Sequence, residues 1–289
     1  MNRKSILIFI TLVLFLPLIA LGCTQEPAGE EKPVIKIGKS PYDSDWPACF
    51  IAKQVIEDLG YEAKFVEGDI GFLYTGLAEG DIDFYPSCWI VNLHKPYKEK
   101  YGAKIEYVGI NYENAISGIG VPAYVTDINS LEDLKGNGKM FGNKIIGIEP
   151  SAGLMLSTEK ALKEYGLEDE YKLVQGSTAG MLAAMEKATK NEEQILFLPW
   201  RPHTMFQQFD IKLLEDPKGI FIPDDVYIGV NPELKDKAPD IYKFAQNFKI
   251  EIEEVERIMQ EGNSKEDKIA ELARKWIDEN QDQINEWVK

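Results

Sequence analysis

Aromatic rings gather with hydroxyls, carboxylates and an imidazole in short segments of this sequence: Ser40-Pro41-Tyr42-Asp43-Ser44-Asp45-Trp46-Pro47, Tyr85-Pro86-Ser87-Cys88-Trp89 and Pro199-Trp200-Arg201-Pro202-His203. Electron-rich ring faces converging on one point suit a quaternary ammonium, which has no N–H to donate and is held only by cation–π and dispersion contact. Each ring is worth roughly 0.5–2 kcal/mol, so two rings give at most about 4 where a micromolar Kd needs about 8. Hydrogen bonds to an anionic group of the ligand and apolar burial must supply the remainder. Helix-start N–H groups near Asp45-Trp46 and Ser151-Ala152 are able donors. Asp43 and Asp45 would repel a carboxylate at the first of these sites while favouring an ammonium. Taken singly, a tryptophan most often packs a core; Arg201 has a surface ion pair as its alternative use, and His203 a satisfied place behind the site.

The elements that must position these groups alternate short β-branched runs with amphipathic helices. Strands are expected at 34–37, 62–66 and 82–85, and helices at 47–59, 72–79 and 95–101, followed by strands at 105–110 and 115–121. This βαβαβ order with short connections indicates a parallel α/β sheet. Ser130-Leu131-Glu132-Asp133 has capping-box spacing and opens a short helix. A second cycle then follows, with strands at 145–149, 171–174, 195–198, 212–214 and 226–230 and helices at 154–165 and 179–190. Ser44 or Asp45 is placed to cap the first helix and Pro47 suits its first turn. Beyond Pro232 the apolar residues fall at helical spacing. Two α/β cycles imply two lobes: residues 34–122 plus 223–289 form lobe 1 and residues 123–222 form lobe 2. In open α/β sheets ligands bind beyond the carboxyl ends of the strands, where these aromatic segments fall.

Several function classes are disfavoured. With 48 Asp+Glu against 32 Lys+Arg, the formal charge of −16 offers no basic footprint for nucleic acid. Two His, three Cys and no C-x-x-C or H-E-x-x-H leave almost nothing for a zinc site, and no metal or other cofactor is expected. An exported hydrolase would need a nucleophile, a base and an orienting group, and no G-x-S-x-G elbow precedes a helix. There is no phosphate-binding G-x-x-x-x-G-K-[ST] run. A surface adhesin would explain export and acidity but not two α/β lobes with aromatic strand ends.

The N-terminus carries Arg3 and Lys4, then a 16-residue apolar run over 6–21, then Gly22-Cys23. That pattern is a secretory signal, the run being short for an uncleaved anchor. Ile19-Ala20-Leu21-Gly22-Cys23 resembles a lipoprotein signal in which Cys23 becomes the lipidated residue, followed by a polar tether over 23–33. Cleavage after residue 22 takes the formal charge from −16 to −18. Export also permits a disulfide between Cys49 and Cys88, with two buried thiols as the alternative.

Four segments carry a resemblance: Trp89-Ile90-Val91-Asn92-Leu93-His94-Lys95, Gly147-Ile148-Glu149-Pro150-Ser151-Ala152-Gly153, Trp200-Arg201-Pro202-His203 and Asp216-Pro217-Lys218-Gly219. In order and spacing they resemble the substrate-binding proteins of glycine betaine/proline betaine ABC importers, over essentially the whole mature chain. The resemblance implies an α/β periplasmic-binding-protein fold whose two lobes hinge over an interlobe cleft and close on a methylated ammonium compound. It places Trp89 and Trp200 in an aromatic cage, Asp45-Trp46 at the carboxylate-binding backbone, and His203 where relatives carry a His after the cage Trp. A third cage tryptophan falls where this chain has Ile250, so that Tyr42, Trp46 or Tyr227 must complete the cage or the ligand differs. The implied partners are a membrane permease and its ATPase, with the protein held on the outer face of the cell membrane through its lipid. Choline, carnitine, histidine and other methylated osmolytes are the alternative ligands.

Overall fold

The computed structural model describes residues 32–289, so the signal segment, Cys23 and most of the tether lie outside the described residues. The described chain begins with β1 (Ile35–Lys39), α1 (Trp46–Asp58), β2 (Ala63–Glu67), α2 (Ile70–Glu79), β3 (Phe84–Cys88), α3 (Lys95–Tyr101) and β4 (Glu106–Ser117). Next come β5 (Gly120–Pro122), β6 (Lys144–Ile146), α4 (Gly153–Glu164), β7 (Lys172–Val174), α5 (Thr178–Asn191), β8 (Trp200–Arg201), α6 (Met205–Gln208) and β9 (Ile211–Leu213). The chain ends with β10 (Asp224–Val230), α7 (Leu234–Lys237), α8 (Pro239–Asn247), α9 (Ile252–Gly262), α10 (Glu266–Glu279) and α11 (Gln281–Trp287).

The larger sheet has the order β2-β1-β3-β10-β4-β8. β1 runs parallel to both neighbours, with Ile35 opposite Ala63 and Ile37 opposite Phe84, so its buried isoleucines set the register. β10 enters antiparallel between β3 and β4. Two sequence expectations shift here for local reasons. Pro86 suggests a strand end at residue 85, yet β3 continues to Cys88, because the register against β10 shifts between Tyr227 and Gly229 and a proline is tolerated at such a bulge. Separate strands are expected at 105–110 and 115–121, yet β4 is continuous, absorbing the irregularity by register shifts and by Asn114 at φ 62. The C-terminal helices cover this sheet: Phe244 stacks on Phe84 at 6.0 Å, Trp287 on Trp276 at 5.8 Å, and Gln54 of α1 donates to the Ala270 carbonyl of α10.

The second body is built on the antiparallel pair β5-β9 and the parallel pair β6-β7, with α4 as the crossover of the latter. Phe197 joins them by bridging Gly120 on one side and Ile146 on the other. The expected strand at 195–198 is thus a single bridging residue, and the next strand, β8, leaves to pair with the end of β4. The chain passes between the two sheets at 118–119, 198–199, 202–210 and 214–223. Among the described residues no helix is long and apolar enough to cross a membrane, and no group of His, Cys, Asp and Glu is arranged to hold a metal. Cys49 and Cys88 are both buried and unjoined.

Candidate functional site

A cavity of about 410 Å³, including space open to solvent at its mouth, lies where the two bodies face each other. From the larger sheet it is lined by Tyr42, Ser44, Asp45, Tyr85, Ser87 and Trp89, and from the second body by Ile148 and the start of α4. Trp200 closes it from the crossing strand.

Asp45 organises the floor. Its carboxylate accepts hydroxyl hydrogen bonds from Ser40 at 2.5 Å, Ser87 at 2.5 Å and Tyr85 at 2.8 Å. No ion pair among the described residues involves it. Burial pushes its carboxyl up to about 6, opposed by the three hydroxyls and reinforced by Asp43. The same network fixes the rings, since Trp89 donates its indole N–H to Ser87 and Tyr85 bonds Asp45 directly. Asp45 does not cap α1 as expected: its side chain is committed to this network, and the short turn Asp43–Asp45 runs directly into the helix, with Pro47 in the first turn.

Trp200 donates its indole N–H to Ser44 at 3.3 Å and meets Tyr42 edge to face at 5.7 Å. The Tyr42 hydroxyl is buried without a partner, and burial together with Glu149 and Asp45 raises its pKa. That makes it a donor suited to an incoming acceptor.

Four of the positions singled out in the sequence stand elsewhere: Trp46, His203, Ile250 and Arg201. Trp46 does not line the cavity; its indole N–H donates to the Ser40 carbonyl and its ring faces the Lys39 ammonium at 5.2 Å. The Asp45 and Trp46 backbone N–H groups are used inside the turn, on the Tyr42 and Asp43 carbonyls. His203 lies behind Trp200 at 4.6 Å, accepts the Met205 N–H through Nδ1, and faces Asp43 Oδ1 at 3.4 Å. Ile250 is fully buried against the Asn111 carbonyl, away from the cavity, while Tyr42 and Tyr85 are the additional rings that line it. Arg201 is exposed and forms a two-pronged ion pair with Glu256.

The donor that sequence reasoning missed is His94. Its Nδ1 accepts the Trp89 backbone N–H at 3.1 Å, which leaves the ring proton on Nε2, and the ring lines the cavity. Burial drives its pKa down to about 3, so it stays neutral at ordinary pH. The spacing Trp89-x-x-x-x-His94 carries no sign that the Trp89 N–H binds Nδ1 of His94. Opposite, the start of α4 has no side-chain cap and places Ala152, Gly153 and Leu154 on the cavity wall. Helix-start N–H groups of this kind favour an anion. The site thus has an anionic, ring-lined floor and a donor-rich side.

Comparisons with known proteins show the family to which this fold belongs. A structure from Borrelia burgdorferi, described as the glycine betaine/L-proline-binding protein ProX of an ABC transporter, superposes with a TM-score of 0.85 at 34% identity, over 89% of this chain and 97% of that one. Lactococcal OpuAC, in a closed conformation complexed with glycine betaine, gives a TM-score of 0.82 at 30% identity over 89% and 100% of the two chains. The glycine betaine/carnitine transport binding protein GbuC of Listeria monocytogenes is 36% identical over 165 residues, 56% of this chain and 55% of its own length, so the alignment spans about half of that relative. Residues 33–279 match the model of the family described as the substrate binding domain of ABC-type glycine betaine transport system. The chain is a two-lobe α/β protein and belongs to that family.

Proposed function

We propose that this protein captures glycine betaine, or a related quaternary-ammonium osmolyte, outside the cell membrane and delivers it to an ABC permease driven by its ATPase. The observation that carries this reading is the convergence of Trp89, Trp200, Tyr42 and Tyr85 around the buried Asp45 carboxylate, with His94 and the start of α4 across the same cavity. The trimethylammonium head would sit on the rings near Asp45. The carboxylate would take the His94 Nε2–H, the Tyr42 hydroxyl and the α4 N–H groups. An ammonium about 4 Å from a carboxylate gains roughly 4 kcal/mol at an effective dielectric near 20, before desolvation, which is the order of what two rings leave unsupplied. His203 and Trp46 act on this site by supporting Trp200 and the first loop.

Lobe 1 is assigned to residues 34–122 plus 223–289 and lobe 2 to residues 123–222. Support comes from β10, which returns the chain to the larger sheet, and from the helices that follow it. Cys23 is assigned as the lipid attachment point on the outer face of the cell membrane; a Cys23→Ala variant released from the membrane would support it, and retention at the membrane would overturn it. The assignment is to binding and delivery, with no reaction catalysed.

Choline is the second reading, and Asp45 favours it: a fixed negative charge in the cavity rewards a cation that brings no carboxylate. Titration calorimetry with glycine betaine, choline, carnitine and histidine decides between them. Glycine betaine is expected to bind tightest, and Trp89→Ala and Trp200→Ala each to lose at least tenfold in affinity. Tightest binding of choline would reverse the assignment, and wild-type affinity in both variants would remove the ring cage.

A further inference from the structure

Gly153 opens α4, in the crossover of the second body, and faces Leu93 in the segment that carries Trp89 and His94 on the larger sheet. A Cβ placed on Gly153 would overlap the carbonyl carbon and oxygen of Leu93 and come within 2.9 Å of its Cα, all of them backbone atoms. The φ of Gly153 is not in the left-handed region, so glycine is required here for approach rather than for conformation. Leu93 cannot yield easily. Its N–H and those of Val91 and Asn92 are bound at 2.8–2.9 Å by the Asp224 carboxylate of β10, and the His94 N–H bonds the Trp89 carbonyl at 2.6 Å. Beside this contact the Tyr97 hydroxyl of α3 donates to the Ser151 carbonyl at 2.7 Å, joining the same two bodies. Glycines such as Gly109 and Gly147 are also pressed on backbone carbonyls, but of their own sheet bodies.

We propose that Gly153 is a positioning residue for ligand retention: its missing side chain lets the start of α4 seat on the Leu93 backbone, and that seating defines the closed cleft. The contact lies at the cavity wall, so closure at this point also brings the α4 N–H groups to the ligand. Any side chain at 153 acts as a spacer that holds the lobes apart at the ligand. In an open cleft the spacer meets nothing, so the ligand-free fold is unaffected.

The test compares wild type with Gly153→Ala by calorimetry, stopped-flow binding and small-angle X-ray scattering, using glycine betaine. The variant is expected to bind at least tenfold more weakly through faster release, to keep the ligand-free melting temperature, and to contract less than wild type on saturation. Gly71→Ala serves as control: its Cβ would sit 3.4 Å from Asp69 Oδ1, 3.5 Å from the Tyr97 hydroxyl and 3.7 Å from Ser151 Cβ, ordinary contact at the same rim, and wild-type affinity is expected. Should Gly153→Ala fail to fold, Tyr97→Phe carries the test, since it removes only the hydrogen bond to Ser151 and is expected to speed release. Unchanged release in whichever variant folds overturns the proposal. The proposal rests on the cleft being the ligand site: wild type that does not bind glycine betaine overturns the ligand assignment, whereas wild-type binding matched by Gly153→Ala overturns the role of Gly153 alone.

Discussion

Asp45 illustrates how one side chain ties stability to binding in opposite directions. All three of its hydroxyl partners donate, so the network suits the ionised form, yet burial holds the carboxyl up near 6, above an unfolded value of 3.8. A group raised in the folded state contributes stability that is fully present below its unfolded pKa and lost as pH rises through its folded pKa. Asp45 therefore costs the ligand-free protein about 3 kcal/mol above pH 6 relative to pH below 4, at 1.36 kcal/mol per unit. Cation binding runs the other way, because an ammonium needs the charge. Affinity for choline is expected to fall as pH drops from 7 to 5, and binding near pH 6 to release protons, measurable by calorimetry in buffers of different ionisation enthalpy. Asp45→Asn should flatten that profile and weaken choline at least tenfold at pH 7 while holding or raising the melting temperature. A choline affinity independent of pH in wild type would show that Asp45 does not face the cation.

Between residue and fold, the segment 89–94 is the element that delivers both a cage ring and the His94 donor, and it has no ladder of its own to hold it. Asp224, 131–133 residues away in sequence, binds three of its N–H groups, at a carboxyl raised by burial and lowered by those same bonds. Leaving a buried N–H unsatisfied costs about 1–3 kcal/mol. Asp224→Ala is expected to destabilise the protein by several kcal/mol, to speed hydrogen exchange at residues 91–93 ahead of β1 and β3, and to weaken glycine betaine binding. Uniform loss of protection across the larger sheet would mean that Asp224 supports the fold as a whole rather than this segment. The same segment shows what could be read in the sequence. Trp89 and Trp200 were legible because aromatic residues after a β-branched run fall at strand ends, where α/β proteins bind ligands. Tyr85 is legible as a ring at a strand end, but its bond to Asp45, 40 residues away in sequence, is not. Trp46 was misplaced because a hydrogen bond to Ser40, six residues back, decides its direction, and residue type carries no trace of that. Burial on both faces likewise hides whether Ile250 fronts a cavity or a strand carbonyl.

At the scale of the molecule, a ligand that touches both bodies should stabilise them as one, because the chain crosses between the sheets at 118–119, 198–199, 202–210 and 214–223, with β8 in the larger sheet. A ligand bound only by the native state adds RT ln(1 + [L]/Kd), about 2.7 kcal/mol at a hundredfold excess over Kd. For a protein of this size each kcal/mol moves the midpoint by about 2–4 °C. Glycine betaine at that excess is therefore expected to raise the melting temperature by roughly 5–10 °C, as a shift of the whole calorimetric transition. A variant that cannot close the cleft tests the coupling. If Gly153→Ala weakens binding tenfold, the same ligand concentration leaves about 1.4 kcal/mol, half the wild-type shift, with an unchanged ligand-free midpoint. Two transitions of which only one responds to ligand would show that one lobe binds alone, and the interlobe geometry of Gly153, Leu93, Tyr97 and Ser151 would then carry no part of the affinity.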